Sequence, residues 1–185
     1  WLQRLLPNHA AKGTTDPVAN PHPVLADAKV RHAIRMAIDV DTIVEEVYAG
    51  VPEPVWTEFF RPPYACEIPR PKYDPAAAAA LLEEAGWTDE DGDGVRECHG
   101  CPNAEEGYPM SMELFGIAGY GEQEELARQL IGEALGDIGI DVEMSNVDAG
   151  LFFDGTSASG VSIWQFPSDM AMFTGGVINT DALAY

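Results

Sequence analysis

An α/β fold, a mixed sheet covered by helices, is what the sequence predicts, and three observations carry it. Met110 to Ile117 reads as a strand, Gly121 to Ile138 as a long amphipathic helix, and Ile140 to Met144 alternates as a second strand. Strand, helix and strand over that distance form a βαβ unit, whose two strands lie parallel. Upstream, Asp74-Pro75 opens an alanine-rich helix that Gly86 closes, and Val30, Ala33, Ile34, Ala37 and Ile38 recur at the three- and four-residue spacing of a helix with one apolar face.

Taken in order, residues 1–23 mix Pro, Asn, His, Gly and Thr with little periodicity and read as an irregular lead-in; a turn of helix at Leu2, Leu5 and Leu6 would stop at Pro7. A single lobe is expected over 24–185. Asp27 is the expected N-cap of the first helix, with Arg31 and Arg35 on its polar side. Asp39 or Asp41 recaps a second helix, whose Ile43, Val44 and Val47 face inward and which stops at Gly50. Pro52, Pro54, Pro62, Pro63, Pro69 and Pro71 make the next segment an extended crossing. Its aromatics Trp56, Phe59, Phe60 and Tyr64 either pack beneath the loop or form part of a ligand wall.

In the third helix, Asp74 is the N-cap, Pro75 occupies the first turn, Ala77 to Ala85 has high helix propensity, and Trp87 packs back over the end. The helix at 121–138 is expected to bury Leu126, Leu130, Ile131, Ala134, Leu135 and Ile138, with Gly139 as its stop. Leu151 to Phe153 suggests a short helix, and 155–160 a loop of small residues.

The totals exclude several classes. The chain has 185 residues with 31 acidic against 10 basic side chains, a net charge of −21. Phosphate neutralisation needs clustered Lys and Arg, so nucleic acid is not an expected partner, nor is an anionic membrane surface. No apolar run approaches a membrane span. The chain opens on Trp1 without a basic-then-apolar leader, which a piece of a longer exported protein would lack whatever its origin.

Two stretches carry a resemblance. Tyr73-Asp-Pro-Ala-Ala-Ala-Ala-Ala-Leu-Leu-Glu-Glu-Ala-Gly-Trp87 runs straight into Thr88-Asp-Glu-Asp-Gly-Asp-Gly-Val-Arg-Glu97, and Leu25 to Val44 contains Asp27, Val30-Arg31 and Ala37-Ile38-Asp39 at matching spacing. Together they resemble the family 5 extracellular solute-binding proteins, the capture subunits of ABC importers. The resemblance implies one lobe, the second, of a two-lobe periplasmic-binding-protein-like fold that closes around a solute. It implies extracellular, periplasmic or cell-surface lipoprotein location, a short peptide as ligand, the importer's membrane subunits as partners, and no catalysis. Ser168 to Phe173 looks like the family's strand entering the ligand cleft, which makes Phe173, Thr174, Gly175, Gly176 and Asp181 the expected ligand contacts; an acid there would pair with a peptide's α-ammonium. The family's usual Trp and Asp-Tyr-Pro-Asp-Pro wording is absent. A sensor module on the same lobe is the non-transport alternative.

Two constellations remain. Asp89, Asp91, Asp93 and Gly94 match the first half of a calcium loop, with Glu97 at the ninth position but Gly100 where the bidentate Glu belongs. The alternative is an acidic turn chosen for its geometry, and no other cofactor is expected. Cys98-His99-Gly100-Cys101 reads as a structural disulfide between Cys98 and Cys101, in keeping with export, with Cys66 paired to either as the second arrangement. Its rivals are a zinc site completed by Cys66 and His99, and a thiol- or metal-dependent enzyme built on that patch. No Gly-x-Ser-x-Gly and no phosphate-binding glycine loop occurs.

Overall fold

A four-stranded mixed sheet organises the chain, in the order β1-β6-β4-β5. The computed structural model describes residues 2–57, 66, 68–156 and 158–175. Its elements are β1 (Leu2–Pro7), α1 (Ala28–Ala37), α2 (Val40–Tyr48), α3 (Pro75–Glu84), β2 (Trp87–Thr88), β3 (Glu97–Cys98), β4 (Ser111–Ile117), α4 (Glu122–Gly136), β5 (Asp141–Val147), α5 (Ala149–Phe152), a 3-10 turn (Ile163–Gln165) and β6 (Met170–Gly175). Strand β4 lies parallel to β5 and β6, and β1 runs antiparallel to β6 with Leu2 opposite Gly175 and Pro7 opposite Met170. The expected βαβ unit is present as β4-α4-β5.

The helix starts follow the sequence. Asp27, Asp39 and Asp74 cap α1, α2 and α3, each accepting a hydrogen bond from a backbone amide of the first turn; such caps contribute about 1 kcal/mol apiece. Helix α2 ends on Ala49 and Gly50, both in the left-handed region.

The core has two faces because β4 is covered on both sides. Met112 and Leu114 look toward α1, α3 and α4, where Val30, Ala33, Leu82 and Leu135 are buried. Phe115 and Ile117 look the other way and pack with Phe152, Ala171 and Phe173. Central parallel strands read as continuous apolar runs for this reason. Trp87, 1% exposed, closes the end of α3 as expected.

Three expectations are corrected. Residues 2–7 of the supposed lead-in form an edge strand; nothing in Leu-Gln-Arg-Leu-Leu-Pro alternates cleanly, and the strand exists because β6 supplies its partner. Pro7 sits at the strand's end, where a missing amide is tolerated. On α4, Leu126 is 46% exposed, while Arg128 is 2% exposed and joins Ala127, Ile131 and Leu135 on the buried side. None of the α2 residues is fully buried, although Ile43 and Val47 pack against the core.

Asp169, just before β6, ties the lead-in to the sheet. His22, 2% exposed, accepts amide hydrogen bonds at Nδ1 from Val24 at 3.0 Å and Leu25 at 2.9 Å. Its proton is therefore on Nε2, which donates to Asp169 Oδ1 at 2.9 Å. Asp169 Oδ2 accepts from the Glu113 amide at 2.6 Å, and its carbonyl from the Asn8 amide at 2.8 Å. Burial acts to raise the Asp169 pKa, but the bonds from His22 and Glu113 and the charge of Lys12 outweigh it and hold the carboxyl below the ordinary aspartate value. A depressed folded-state pKa means that this stabilisation is complete above the unfolded value near 3.8 and is lost as pH falls through the lower folded one. Asp169→Ala should cost about 3 kcal/mol in urea unfolding at neutral pH, since it orphans a buried imidazole and a strand amide. That deficit should shrink as both proteins are taken below pH 4.

Candidate functional site

Parallel strands point their carboxyl ends to one edge of a sheet, and in open α/β sheets that edge is where ligands bind. Here β4 and β6 are in parallel register, so Ile117 and the Phe173-Thr174-Gly175 end of β6 reach the same edge. A cavity of about 290 Å³ opens there, walled by the turn Gly116 to Gly121, by Asn146 of β5 and by the first turns of α4. Thr174 Oγ1 donates to Glu124 Oε2 at 3.0 Å, fastening the end of β6 to α4.

The wall is shaped by an arginine over a glycine. Arg128 Nη1 donates to the Ser145 carbonyl at 2.8 Å, and Nη2 pairs with Glu125. A Cβ on Gly116 would meet Arg128 Nη1 at 1.9 Å, so only glycine leaves room for the guanidinium across the strand.

Glu122, Glu124 and Glu125 occupy the first turn of α4, where carboxylates interact favourably with the helix dipole. Glu124 differs from its neighbours in being 8% exposed. Burial pushes its pKa up, assisted by Glu125 and opposed by Thr174 and Arg128. Beside it, Tyr48 donates to Gln3 Oε1 at 2.7 Å, and Gln3 lies opposite Thr174 in the β1–β6 register. Burial and the Glu124 charge push the Tyr48 hydroxyl up as well. Two buried atoms of this neighbourhood, Gln3 Nε2 and Glu124 Oε1, have no hydrogen-bond partner.

A larger cleft, about 660 Å³, lies between β1, α1, α2 and residues 52–57. Its walls are mostly apolar, including Leu5, Ile34, Ile43 and Met172. Trp56 lines it, with the Arg70 guanidinium 5.6 Å from its ring centroid. The larger cleft and the carboxyl-end cavity compete as sites; the former has the size and mostly apolar lining usual for small-molecule pockets, and the latter lies at the carboxyl edge of the sheet.

Of the expected contacts, Thr174 and Gly175 stand half-buried at this edge. Phe173 is corrected to a packing residue: it is 5% exposed and meets Phe152 and Phe153 edge-on at 5.6 and 5.5 Å. Gly176 and Asp181 lie outside the described residues, as do Phe59, Phe60 and Tyr64. Glu124 and Arg128 were missed because acids in a first turn and an arginine on a helix are ordinary; the signal available was Gly116 within an otherwise apolar strand.

The cysteine and aspartate constellations sit at the other end of the sheet. Arg96 bonds the Gly139, Ile138 and Trp87 backbone, and the Met110 amide donates to the Arg96 carbonyl, which fixes the 88–110 excursion at the start of β4 and β5. Seven residues of β4 separate that end from the cavity, roughly 20 Å. Cys98 and Cys101 are disulfide-bonded and Cys66 is free and exposed. His99 Nδ1 donates to Glu106 at 2.8 Å, and Glu106 accepts also from the Gly100 amide, clasping the loop; the Glu106 bond raises the His99 pKa. A disulfide between Cys98 and Cys101 and a zinc ion held by the same two thiolates exclude one another. Among the described residues the one carboxylate, His or Cys set close enough to share an ion is Asp89, Asp91 and Glu97, with ligand atoms within 4.8 Å of one another. Asp93 is not in that set; its Oδ1 accepts from the Val95 amide, as Asp89 accepts from Gly92 and Gly94. These are Asx-type turn bonds.

Comparison with known proteins gives a consistent set. The model of the bacterial extracellular solute-binding proteins, family 5 Middle, matches residues 2–184. The oligopeptide-binding protein AppA of Bacillus subtilis is 30% identical over 128 residues, 66% of this chain and 22% of AppA. NikA from Brucella suis, solved with Fe(III)-EDTA, superposes with a TM-score of 0.67 at 25% identity over 98% of this chain and 33% of NikA. The oligopeptide-binding protein from Thermus thermophilus, solved with a pentapeptide, gives 0.65 at 25% identity, over 80% of this chain and 24% of its own. The chain thus spans between a fifth and a third of the length of these relatives. Among the described residues no helix is long and apolar enough to cross a membrane.

Two outcomes follow for the sheet's far end. Non-reducing mass spectrometry should give a mass two hydrogens below the reduced chain, with one thiol, Cys66, open to alkylation; three free thiols or a bound zinc would contradict the disulfide. Calcium should bind the acidic turn only in the millimolar range, because Gly100 replaces the bidentate ligand. At ten times the dissociation constant it would then add about 1.4 kcal/mol. Thermal melts in EDTA and in millimolar calcium check this, with Asp91→Asn expected to remove the increment; a large shift at micromolar calcium would contradict it.

Proposed function

The chain belongs to the bacterial extracellular solute-binding proteins of family 5, and we propose that it forms one lobe of a two-lobe protein that captures a small solute, a short peptide, and presents it to an ABC importer. The observation that carries this reading is the cavity at the carboxyl edge of β4 and β5, whose wall residue Glu124 is tied to the end of β6 by the Thr174 hydrogen bond, although no β6 residue lines the cavity itself. One wall with a fixed polar inner surface and an open side suits a ligand that a second lobe must cover.

In such proteins the ligand favours the closed arrangement of lobes, and a partner that reads closure needs no chemistry from the binding protein. No catalytic step is therefore assigned. The protein works outside the membrane, in keeping with the family's extracellular members. The peptide class is supported by oligopeptide-binding relatives from two organisms, and the disulfide loop is compatible with an oxidising compartment.

Calorimetry with a library of short peptides tests this. A complete two-lobe protein containing this chain should bind members of the library, whereas this chain alone should not bind any of them below micromolar concentration, because one wall buries too little ligand surface to offset ordering costs. Submicromolar binding by this chain alone would overturn the two-wall reading, and a complete protein that takes up no peptide would overturn the ligand class.

A further inference from the structure

The chain carries 31 acidic side chains against 10 basic ones, yet the wall of the larger cleft reverses that balance. Among the described residues that line it are Arg4, Arg31 and Arg35 with His9 and His32, and the one acid beside them is Glu53. Arg31 gives Nη1 to the Leu25 and Ala26 carbonyls, and neither Arg31, His32 nor Arg35 has a carboxylate partner among the described residues. The rest of the wall is mostly apolar, and it runs along β1, whose Leu6 is 38% exposed. Strand β1 pairs with β6 on one side and, among the described residues, with no strand on the other. We propose that this cleft seats an extended segment from the remainder of the longer protein, apolar and bearing carboxylates, which pairs with the free edge of β1. The proposal rests on the solute-binding reading only in taking the chain as one lobe of a longer polypeptide.

Backbone, charge and tethering select that occupant. Alternate amides and carbonyls of an antiparallel edge strand point away from its partner, and folded proteins pair or cover such edges. An added strand of about the length of β1 would satisfy them, with side chains of one face lying in the apolar cleft. Carboxylates on that strand would complement Arg31, His32 and Arg35. A second copy of this chain does not fit, because a symmetric contact would set the same arginines and histidines against each other. A free anion must approach a chain of net charge −21. A segment of the same polypeptide is held nearby at high effective concentration, which offsets that repulsion. Since the chain spans between a fifth and a third of the length of its relatives, a protein of their size has ample chain to supply it.

The test uses the complete protein that contains this chain, with no solute added, so the outcome does not depend on what the protein captures. Hydrogen exchange should find every amide from Gln3 to Leu6 slowed, including those that face away from β6. Arg35 is exposed, so its substitution leaves the core intact. Arg35→Glu should speed exchange of the outward amides about fivefold, the scale of one exposed ion pair. Arg35→Lys keeps the charge and supplies an amine. Treated with a water-soluble carbodiimide, that variant should form a cross-link from position 35 to an Asp or Glu outside these 185 residues, within one molecule. Outward amides that exchange as an unpaired edge does, or rates unchanged in Arg35→Glu, overturn the inference. So does a cross-link that stays within these residues, one that joins two molecules, or the absence of any. Each of those results leaves the solute-binding reading standing, since peptide calorimetry judges it separately.

Discussion

Asp169 is the constraint on which the rest of the architecture depends. Its carboxylate holds the buried imidazole of His22 and the backbone of β4 through Glu113, and its backbone carbonyl holds the segment after β1 at Asn8. Each bond joins parts of the chain distant in sequence. His22 in turn caps the turn at Val24 and Leu25 that leads into α1. The lead-in, the central strand and β6 thus meet at a single residue, by its side chain and its backbone, and Thr174 lies beside α4 at the far end of the same strand. Breaking such a node costs more than its net contribution suggests, because the penalty is the desolvation of every group left behind.

The carboxyl edge uses the opposite strategy. At Asp169 both carboxylate oxygens and the backbone carbonyl accept hydrogen bonds; at Glu124 one carboxylate oxygen has no donor. Arg128 fills the space that Gly116 leaves, so the cavity wall is set by a side chain that cannot swing away without exposing a buried cation to an apolar sheet. The net charge of −21 disfavours anionic partners at longer range.

Helices were legible in the sequence because their signals are local. Asp27, Asp39 and Asp74 cap where the pattern placed them, and Gly86 and Gly139 sit in the left-handed region at the ends of α3 and α4. The βαβ unit was legible because β4 is apolar on both faces and α4 is long. Strand β1 was not, since its pairing with β6 joins the two ends of the described chain and leaves no local trace in Leu2 to Pro7. The buried face of α4 was misread for a related reason: apolarity marks Leu126 as inward, but the angle of the helix on the sheet and the gap at Gly116 select Arg128 instead. His22, one of the scattered histidines by sequence, acquires its role only when β6 brings Asp169 to it. Of the candidate site, the resemblance placed Thr174 and Gly175 at the carboxyl edge of the sheet, Phe173 is buried in packing there, and Glu124 carried no sequence signal of its own.

The cysteines and aspartates lie at the end of the sheet away from the carboxyl-end cavity. Residues 88–110 carry the features that by sequence look most like chemistry: a Cys-x-x-Cys, a histidine and an acidic loop. The structure puts them where β4 and β5 begin, folded onto the Gly86 end of α3 by the His99 amide and by the approach of the Cys101 sulfur to the Gly86 carbonyl. A Cβ at Gly86 would meet the His99 carbonyl at 2.9 Å, so the loop seats on that glycine and nowhere looser. The aspartates close their own turn by accepting its amides. Both devices restrain a long excursion that has little core of its own, the circumstance in which a covalent link and satisfied backbone amides matter most. The restrained excursion lies where β4 and β5 begin, and the carboxyl-end cavity lies where β4 ends.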